Sequence, residues 1–293
     1  MTSPQPIRDL ILAVPSPLEE LADDRLRAAG LRMLLKRDDL VHPDLPGNKW
    51  RKLKHNLAAA AAGNFHTLLT FGGAFSKQIL ATAAAGHHFG FNTVGVVRGE
   101  EHVPLNPLLA RAAELGMSLT YVDRDRYRRR TEPAFLRRLR REFGPHYVIP
   151  AGGANREGVR GCAELPGEIT SAYDVICVSS GTGCTLAGVG IGLPAGRTAI
   201  GFASLRGDFL TGDVTALQRE YGRTTQNWTV NTEFPFGGFA RRPPELLDFL
   251  TDFRDRHGIT LDAVYEAKMM AGIVELAGRG HWQPGTTLVA VLG

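Results

Sequence analysis

Cysteine is scarce in this chain of 293 residues. The three copies, Cys162, Cys177 and Cys184, are irregularly spaced and include no CxxC pair, which argues against both a disulfide framework and a zinc site. Long apolar runs are missing as well. None approaches the roughly 20 residues that a membrane helix needs, and the N-terminus lacks a basic-then-apolar leader. The expectation is a cytoplasmic protein with no membrane partner and no bound metal. Familiar active-site signatures are also absent: there is no GxGxxG, no Gly-Lys-Ser/Thr, no HExxH, no GxSxG and no Ser-His-Asp spacing. Net charge is small, +4, and much of it lies in the arginine-rich run from Arg124 to Arg141. That run belongs to no nucleic-acid module. A solvated helix face is expected there, with an acidic partner as the alternative, and no nucleic-acid partner is expected.

What is present is an enzyme-like composition, 43 % hydrophobic and 22 % charged with 34 glycines, enough for a sizeable core. Ser16-Pro17-Leu18-Glu19 fits a capping box opening a helix over Pro17–Ala29, with a strand over Leu31–Lys36 after it. From Lys49 onward, short apolar strands alternate with helices. The strands include Thr67–Phe71, Thr93–Val97, Tyr147–Pro150, Asp174–Val178 and Thr287–Leu292; the helices include Ser76–His88, Glu132–Phe143, Gly158–Ala172 and Ala267–Gly278. Alternation with short links predicts an α/β fold of two domains with mostly parallel sheets. The boundaries expected are 50–156 for a small substrate-side domain, and 1–49 with 157–293 for a large one. A ligand would then sit between them, at the carboxyl ends of the strands.

Four stretches near such turns carry chemistry. Gly47-Asn48-Lys49-Trp50-Arg51-Lys52-Leu53 brings a lysine to the first turn of a helix, where free amides and the dipole hold positive potential. That lowers an amine's pKa, and a neutral amine can form a Schiff base with an aldehyde. The plainer reading of Lys49 is a solvated lysine beside Arg51, Lys52 and Lys54. Ser180-Gly181-Thr182-Gly183-Cys184-Thr185 offers two glycines, two threonine hydroxyls and helix-start amides, so it reads as a phosphate cup or as a plain βα turn. Gly72-Gly73-Ala74-Phe75-Ser76-Lys77-Gln78 places amides and the Ser76 hydroxyl where a carboxylate could bind, or where Ser76 simply caps a helix. In Val264-Tyr265-Glu266, Tyr265 could move protons and Glu266 could bond a ring nitrogen, or act as a first-turn helix acid.

In this order, the residues resemble the pyridoxal-phosphate enzymes of fold type II, which are tryptophan synthase beta-like. More narrowly they resemble the 1-aminocyclopropane-1-carboxylate (ACC) deaminase and D-cysteine desulfhydrase family. Lys36-Arg37-Asp38-Asp39 with Gly47–Leu53 is similar to that family's cofactor-lysine motif, and Phe71–Ser76 to its carboxylate loop. Tyr147–Asn155 is similar to its crossover turn, Gly181–Thr185 to its phosphate loop and Val264–Glu266 to its late tyrosine and acid. The matches are collinear and cover most of the chain. The resemblance implies pyridoxal 5'-phosphate as cofactor, bound mainly by the large domain, a small amino acid as substrate and a homodimer. It implies Lys49 as the Schiff-base lysine and then as base. Gly181, Thr182, Gly183, Cys184 and Thr185 would bind the phosphate, Glu266 would face the pyridine nitrogen, and Asn48 and Lys77 would stand beside the cofactor. Gly73, Ala74, Phe75, Ser76, Gln78 and Phe239 would line the substrate, with Ser76 and Tyr265 assisting the chemistry. The implied reaction releases a 2-oxo acid and ammonia, with sulfide when the substrate is D-cysteine.

Three departures bear on that reaction. Lys77 stands where the family usually has asparagine near the cofactor's phenolic oxygen. In the turn Phe236-Gly237-Gly238-Phe239-Ala240, Phe239 lacks the hydroxyl of the second tyrosine on which cyclopropane ring opening is thought to lean. The family often continues past the last strand with a threonine-glycine-glycine turn, whereas this sequence ends at Leu292-Gly293. Racemisation or β-replacement on the same scaffold, and a non-catalytic family member, are therefore the alternatives to a lyase or deaminase.

Overall fold

Strand and helix alternate throughout the computed structural model, which describes residues 12–293; the first part of the expected N-terminal lead-in lies outside the described residues. The first half contains β1 (Leu18–Glu20), α1 (Asp24–Ala28), β2 (Arg32–Arg37), α2 (Gly47–Ala62), β3 (Thr67–Gly73), α3 (Lys77–Phe89) and β4 (Asn92–Arg98). It continues with α4 (Pro107–Glu114), β5 (Met117–Val122), α5 (Arg124–Arg128), α6 (Pro133–Phe143) and β6 (Tyr147–Ile149). The second half contains α7 (Arg156–Cys162), β7 (Val175–Ser180), α8 (Cys184–Gly192), β8 (Thr198–Ala203) and α9 (Phe209–Tyr221). It closes with β9 (Trp228–Asn231), α10 (Pro244–His257), α11 (Glu266–Gly278) and β10 (Thr287–Leu292).

Two sheets result. One has the order β1-β2-β10-β7-β8-β9, parallel except where β1 pairs antiparallel with β2; the other has the order β5-β4-β3-β6 and is parallel throughout. Helices cover both faces, which is why the strands read as apolar runs rather than alternating ones. Along β7 and β10, Val175, Cys177, Leu288, Ala290 and Leu292 enter one core, while Ile176, Val178, Val289 and Val291 enter the core on the opposite face. In the smaller sheet Leu68 and Val97 face one core, and Leu69, Phe71, Val94 and Val96 the other. Among the described residues no helix is long and apolar enough to cross a membrane.

The helix expected over Pro17–Ala29 does not form. Leu18–Glu20 is a strand instead, and a five-residue helix follows at Asp24–Ala28, capped by Asp23. Tertiary pairing overrides the local cap signal: Glu19 pairs with Arg37 and Glu20 with Arg32 across the β1–β2 ladder, and the Ser16 hydroxyl donates to Asp38 at 2.6 Å. The helix expected over Gly158–Ala172 stops at Cys162, and a single 3-10 turn follows at Leu165–Glu168, where Pro166 has no amide to continue an α-helix. The short helix α5 carries no strong periodic signal and was not expected.

Candidate active site

The cleft is built where strand ends meet, and its best-anchored element is α2. Just after β2, Asp38 is fully buried and accepts from Arg51 Nε at 2.6 Å and Nη2 at 2.8 Å. The other edge of the Arg51 guanidinium donates to Glu168 at 2.7 and 2.8 Å, and Lys36 Nζ lies 3.0 Å from the same carboxylate. Gly47 must be glycine, because a Cβ there would lie 2.6 Å from the Asp38 backbone oxygen. Gly161 lets α7 lie directly on α2, since a Cβ would come within 1.7 Å of the Arg51 carbonyl oxygen. Lys49, in the first turn of α2, is therefore carried on a helix anchored by this buried network.

Lys49 is half-buried as a whole residue, but its amine is enclosed. Burial pushes that amine down to about 7, and the positive charges of Lys52 and Lys77 act in the same direction. The direction matches the sequence expectation, but desolvation is the main cause. In the cofactor-free protein the amine is charged below about pH 7 and neutral above it. Its reaction with a carbonyl or arylating reagent is expected to rise with a midpoint near pH 7, rather than near the ordinary lysine value of 10.5. Peptide mapping of the modified lysine against pH checks this. Linkage has the matching sign: the unfolded chain binds the extra proton between those two values, so this group's cost to stability is full below pH 7 and is relieved as pH rises towards 10.5.

The turn after β7 forms the opposite wall. Gly183 caps α8 with φ 74°, a left-handed conformation that favours glycine, and leaves the first amides of a nine-residue helix open. The hydroxyls of Thr182 and Thr185 make no hydrogen bond among the described residues. The Cys184 thiol is turned inward to the Gly153 carbonyl at 3.4 Å, so Cys184 presents its backbone rather than its sulfur to the cup. The crossover loop after β6 closes over this turn. A Cβ on Gly152 would lie 2.8 Å from Thr182, and one on Gly153 would lie 3.0 Å from Lys52 and 3.3 Å from Gln78 Oε1. Lys52 is 5 % exposed and makes no ion pair among the described residues.

Tyr265 and Glu266 arrive from the start of α11. Tyr265 passes over the cup, its ring 3.0 Å from the Cβ position of Gly181, and burial with the nearby Asp262 charge pushes its phenol up to about 12. Glu266 is 5 % exposed; its carboxylate accepts the Asp262 amide at 2.7 Å and the Gly293 amide at 2.8 Å, and burial raises its pKa against the opposing charge of Lys77. Asn48 donates to the Gly293 carbonyl at 2.9 Å, which links the Lys49 turn to Glu266, while its Oδ1 is buried without a partner. Lys77 reaches across the cleft to Asp262 at 3.2 Å. Asp262 in turn accepts the amides of Val264 and Tyr265 at 2.9 and 2.8 Å.

The loop after β3 forms the third wall. It is tightened by the Ser76 amide donating to the Gly73 carbonyl at 3.0 Å, and held from outside by Asn106 Nδ2 donating to the Ala74 carbonyl at 3.0 Å. Ser76 does not cap α3 with its side chain, so its hydroxyl stays available. Phe75 is 79 % exposed. Gln78 is buried and donates to Thr82 at 3.2 Å, leaving Oε1 unpartnered. Phe239 is half exposed and packs edge-on against Tyr265, with ring centroids 6.1 Å apart. Its turn, in which Phe236, Gly237, Gly238 and Ala240 all have positive φ, is clamped by buried Lys268, whose ammonium donates to the Pro235 and Gly238 carbonyls at 2.8 and 2.6 Å.

The three walls therefore enclose an amine of lowered pKa, an anion cup, a buried acid and a phenol. The pyridoxal-phosphate dependent enzyme family profile matches residues 12–293. The chain belongs to the pyridoxal-phosphate-dependent enzymes. A relative from Pyrococcus horikoshii, provisionally named 1-aminocyclopropane-1-carboxylate deaminase, is 31 % identical over 269 residues, covering 87 % of this chain and 82 % of its own. The D-cysteine desulfhydrase of Klebsiella pneumoniae strain 342 is 27 % identical over 288 residues, covering 90 % and 87 %. A solved structure described as an ACC deaminase homologue superposes with a TM-score of 0.83 at 28 % identity, covering 94 % of this chain and 88 % of its own.

This pyridoxal-phosphate enzyme has residues that fit the cofactor. A buried ammonium without an anionic partner, Lys52, adjoins a cup of free amides and two unpartnered hydroxyls, as a phosphate dianion requires. Lys49 supplies an amine that is substantially neutral at neutral pH. Lys52, Lys268 and Asp262 were not singled out from the sequence. The signals for Lys52 are its place within the Gly47–Leu53 motif and one helical turn after Lys49.

Proposed function

We propose that this protein is a lyase that deaminates a small amino acid carrying a leaving group on its β carbon, with D-cysteine preferred to ACC. The observation that carries this reading is the packing of Phe239 against Tyr265. On the family resemblance Phe239 stands where the second phenol that ring opening is expected to need would be, so the phenol on that wall is Tyr265, which can hydrogen-bond a sulfur leaving as hydrosulfide.

In this reading the bound cofactor supplies the electron sink for carbanion chemistry. Lys49 would carry it covalently and, once released, would be the base placed to take the substrate's α proton. Backbone amides from Gly181, Thr182, Gly183, Cys184 and Thr185, together with Lys52, hold the phosphate. Glu266 faces the ring nitrogen, and its two backbone donors keep the carboxylate oriented. Gly73, Ala74, Phe75 and Ser76 hold the substrate carboxylate, with Gln78 at the back of the loop. Asn48 and Lys77 flank the cofactor, and the Asp262 contact keeps the Lys77 ammonium to one side. The domain boundaries 50–156 and 1–49 with 157–293 are part of the proposal, supported by the ranges from which the two sheets draw their strands. So are a cytoplasmic location and a homodimer, the latter tested by sedimentation at twice the 31.8 kDa chain mass.

The direct test is product analysis. D-Cysteine is expected to yield pyruvate, sulfide and ammonia in equal amounts, with little 2-oxobutanoate from ACC. Faster turnover of ACC, or racemised serine without keto acid, would sink this reading. Replacing Lys52 with methionine removes the charged partner of the phosphate. It is expected to weaken cofactor retention roughly ten- to hundredfold, the value of one charge-assisted hydrogen bond. Equilibrium dialysis of the cofactor checks this, and retention equal to the wild type would remove Lys52 from the cup.

A further inference from the structure

The arginine-rich run is not used by the catalytic cleft. Residues Arg124–Arg141 contain nine arginines against one aspartate and one glutamate, a net of +7 within a chain whose net is +4, so the remainder is net acidic by 3. At its start the fold makes a cavity of about 330 Å³, lined by Arg98, Arg124, Tyr127, Arg128 and Arg130. Arg98 ends β4 and Arg124 opens α5 directly after β5, so the cavity lies at the carboxyl edge of the four-stranded sheet, the edge at which open α/β sheets bind ligands.

The lining is organised. Tyr127 is buried, and its ring packs edge-on against Phe71 of β3 at 6.4 Å. The guanidinium carbons of Arg98 and Arg130 lie 5.7 and 4.9 Å from the Tyr127 ring centroid, and Arg130 Nη1 also donates to the Tyr127 carbonyl at 3.2 Å. Two cations held on one ring have lost much of the rotamer freedom that free surface arginines keep. Among the described residues Arg98, Arg124 and Arg130 have no carboxylate partner. Of the lining residues only Arg128 is paired, with Asp125 at 2.8 Å. Three unneutralised guanidiniums gathered round one concavity repel one another, and they focus a positive potential on any anion small enough to enter.

We propose that this cavity is a second ligand site that takes a small polyanion of the phosphorylated or polycarboxylate class; it adjoins the substrate-side loop, where Arg98 Nη2 lies 3.6 Å from the Cβ position of Gly73, and Arg124, Tyr127, Arg128 and Arg130 line its remainder. The volume falls at the lower end of small-molecule sites. The planar, preset donors suit bidentate contact with phosphate or carboxylate oxygens. The argument does not depend on which amino acid the catalytic site takes.

Calorimetric titration of the full-length, cofactor-saturated protein at 0.15 M salt tests it, with pyrophosphate and citrate as separate probes. Cofactor saturation keeps the probes out of the phosphate cup. One saturable site is expected for at least one probe, and the preferred probe tells phosphate from carboxylate chemistry. Arg98→Gln and Arg124→Gln are each expected to weaken it at least about tenfold, the value of one lost charge-assisted contact. Arg138→Gln, which lies in the same run but outside the cavity, is expected to change it less than about twofold. All three are exposed side chains, and thermal melts confirm folding. The proposal is overturned by the absence of saturable binding for both probes, or by equal weakening in Arg138→Gln, which would mean charge density alone. A short RNA that binds more tightly than either small anion, with affinity growing with length, would also overturn it.

Discussion

Lys49→Ala is expected to lower turnover by about three orders of magnitude or more, because on the proposed reading it removes both the covalent anchor of the cofactor and the base that serves the α carbon. The fold should survive. Lys49 makes no ion pair among the described residues, and the α2 helix that carries it is fixed through Arg51, Asp38 and Glu168. Removing an enclosed amine that is held down to about 7 is expected to raise the melting temperature near neutral pH. Borohydride treatment of the holoenzyme, followed by peptide mapping, separates this assignment from its neighbours. The label should vanish in Lys49→Ala and persist in Lys52→Met and Lys77→Met. A label on Lys77 in the wild-type protein would move the cofactor to the other side of the cleft, and the readings of Ser76 and Glu266 would have to move with it.

Arg51→Met is expected to produce the largest loss of stability, on the order of 3–5 kcal/mol, because it leaves the fully buried Asp38 carboxylate without its bidentate partner. Urea unfolding measures the loss. The double variant Arg51→Met with Asp38→Leu should recover much of it, since the cost lies in the unpaired charge rather than in the missing bond. A second signature is acid dependence. Arg51 and Lys36 outweigh burial and hold Glu168 down to about 2, below the ordinary 4.5. Its contribution is therefore full above pH 4.5 and is lost as pH falls from there towards 2. In Arg51→Met that acid-sensitive component should shrink. If the variant instead unfolds at the wild-type urea midpoint, α2 is not held by this network, and the rigid placement of Lys49 needs another cause.

The same residues show how far a linear reading reaches. Lys49, the Gly181–Thr185 turn and Tyr265–Glu266 are each local patterns at helix starts, and the structure brings them to one cleft as their order implied. Lys52 and Lys268 are different. In the sequence they are two more helix lysines. Their meaning lies in what surrounds them: in one case a lysine buried against the Gly153 turn with no ion pair among the described residues, and in the other an ammonium spanning two carbonyls of a strained turn. Lys77 shows the limit most clearly. The sequence marks it as a departure from the family pattern but does not reveal that its partner is Asp262, 185 positions away. The helix expected over Pro17–Ala29 fails for the same reason: its capping signal is local, and the ion pairs that defeat it are made with β2.

Sequence alone was enough to decide most of the elements, that the sheets are mostly parallel, and which lysine opens a helix behind a glycine turn. These depend on periodicity, punctuation and residue type, all of which act within a few positions. Tertiary structure alone decided why Lys49 has a lowered pKa, which charges are paired and which are free, and that Phe239 packs on Tyr265. Desolvation, ion pairing and ring packing depend on distances in space between residues far apart in the chain, and only the closing of two sheets around one cleft sets those distances.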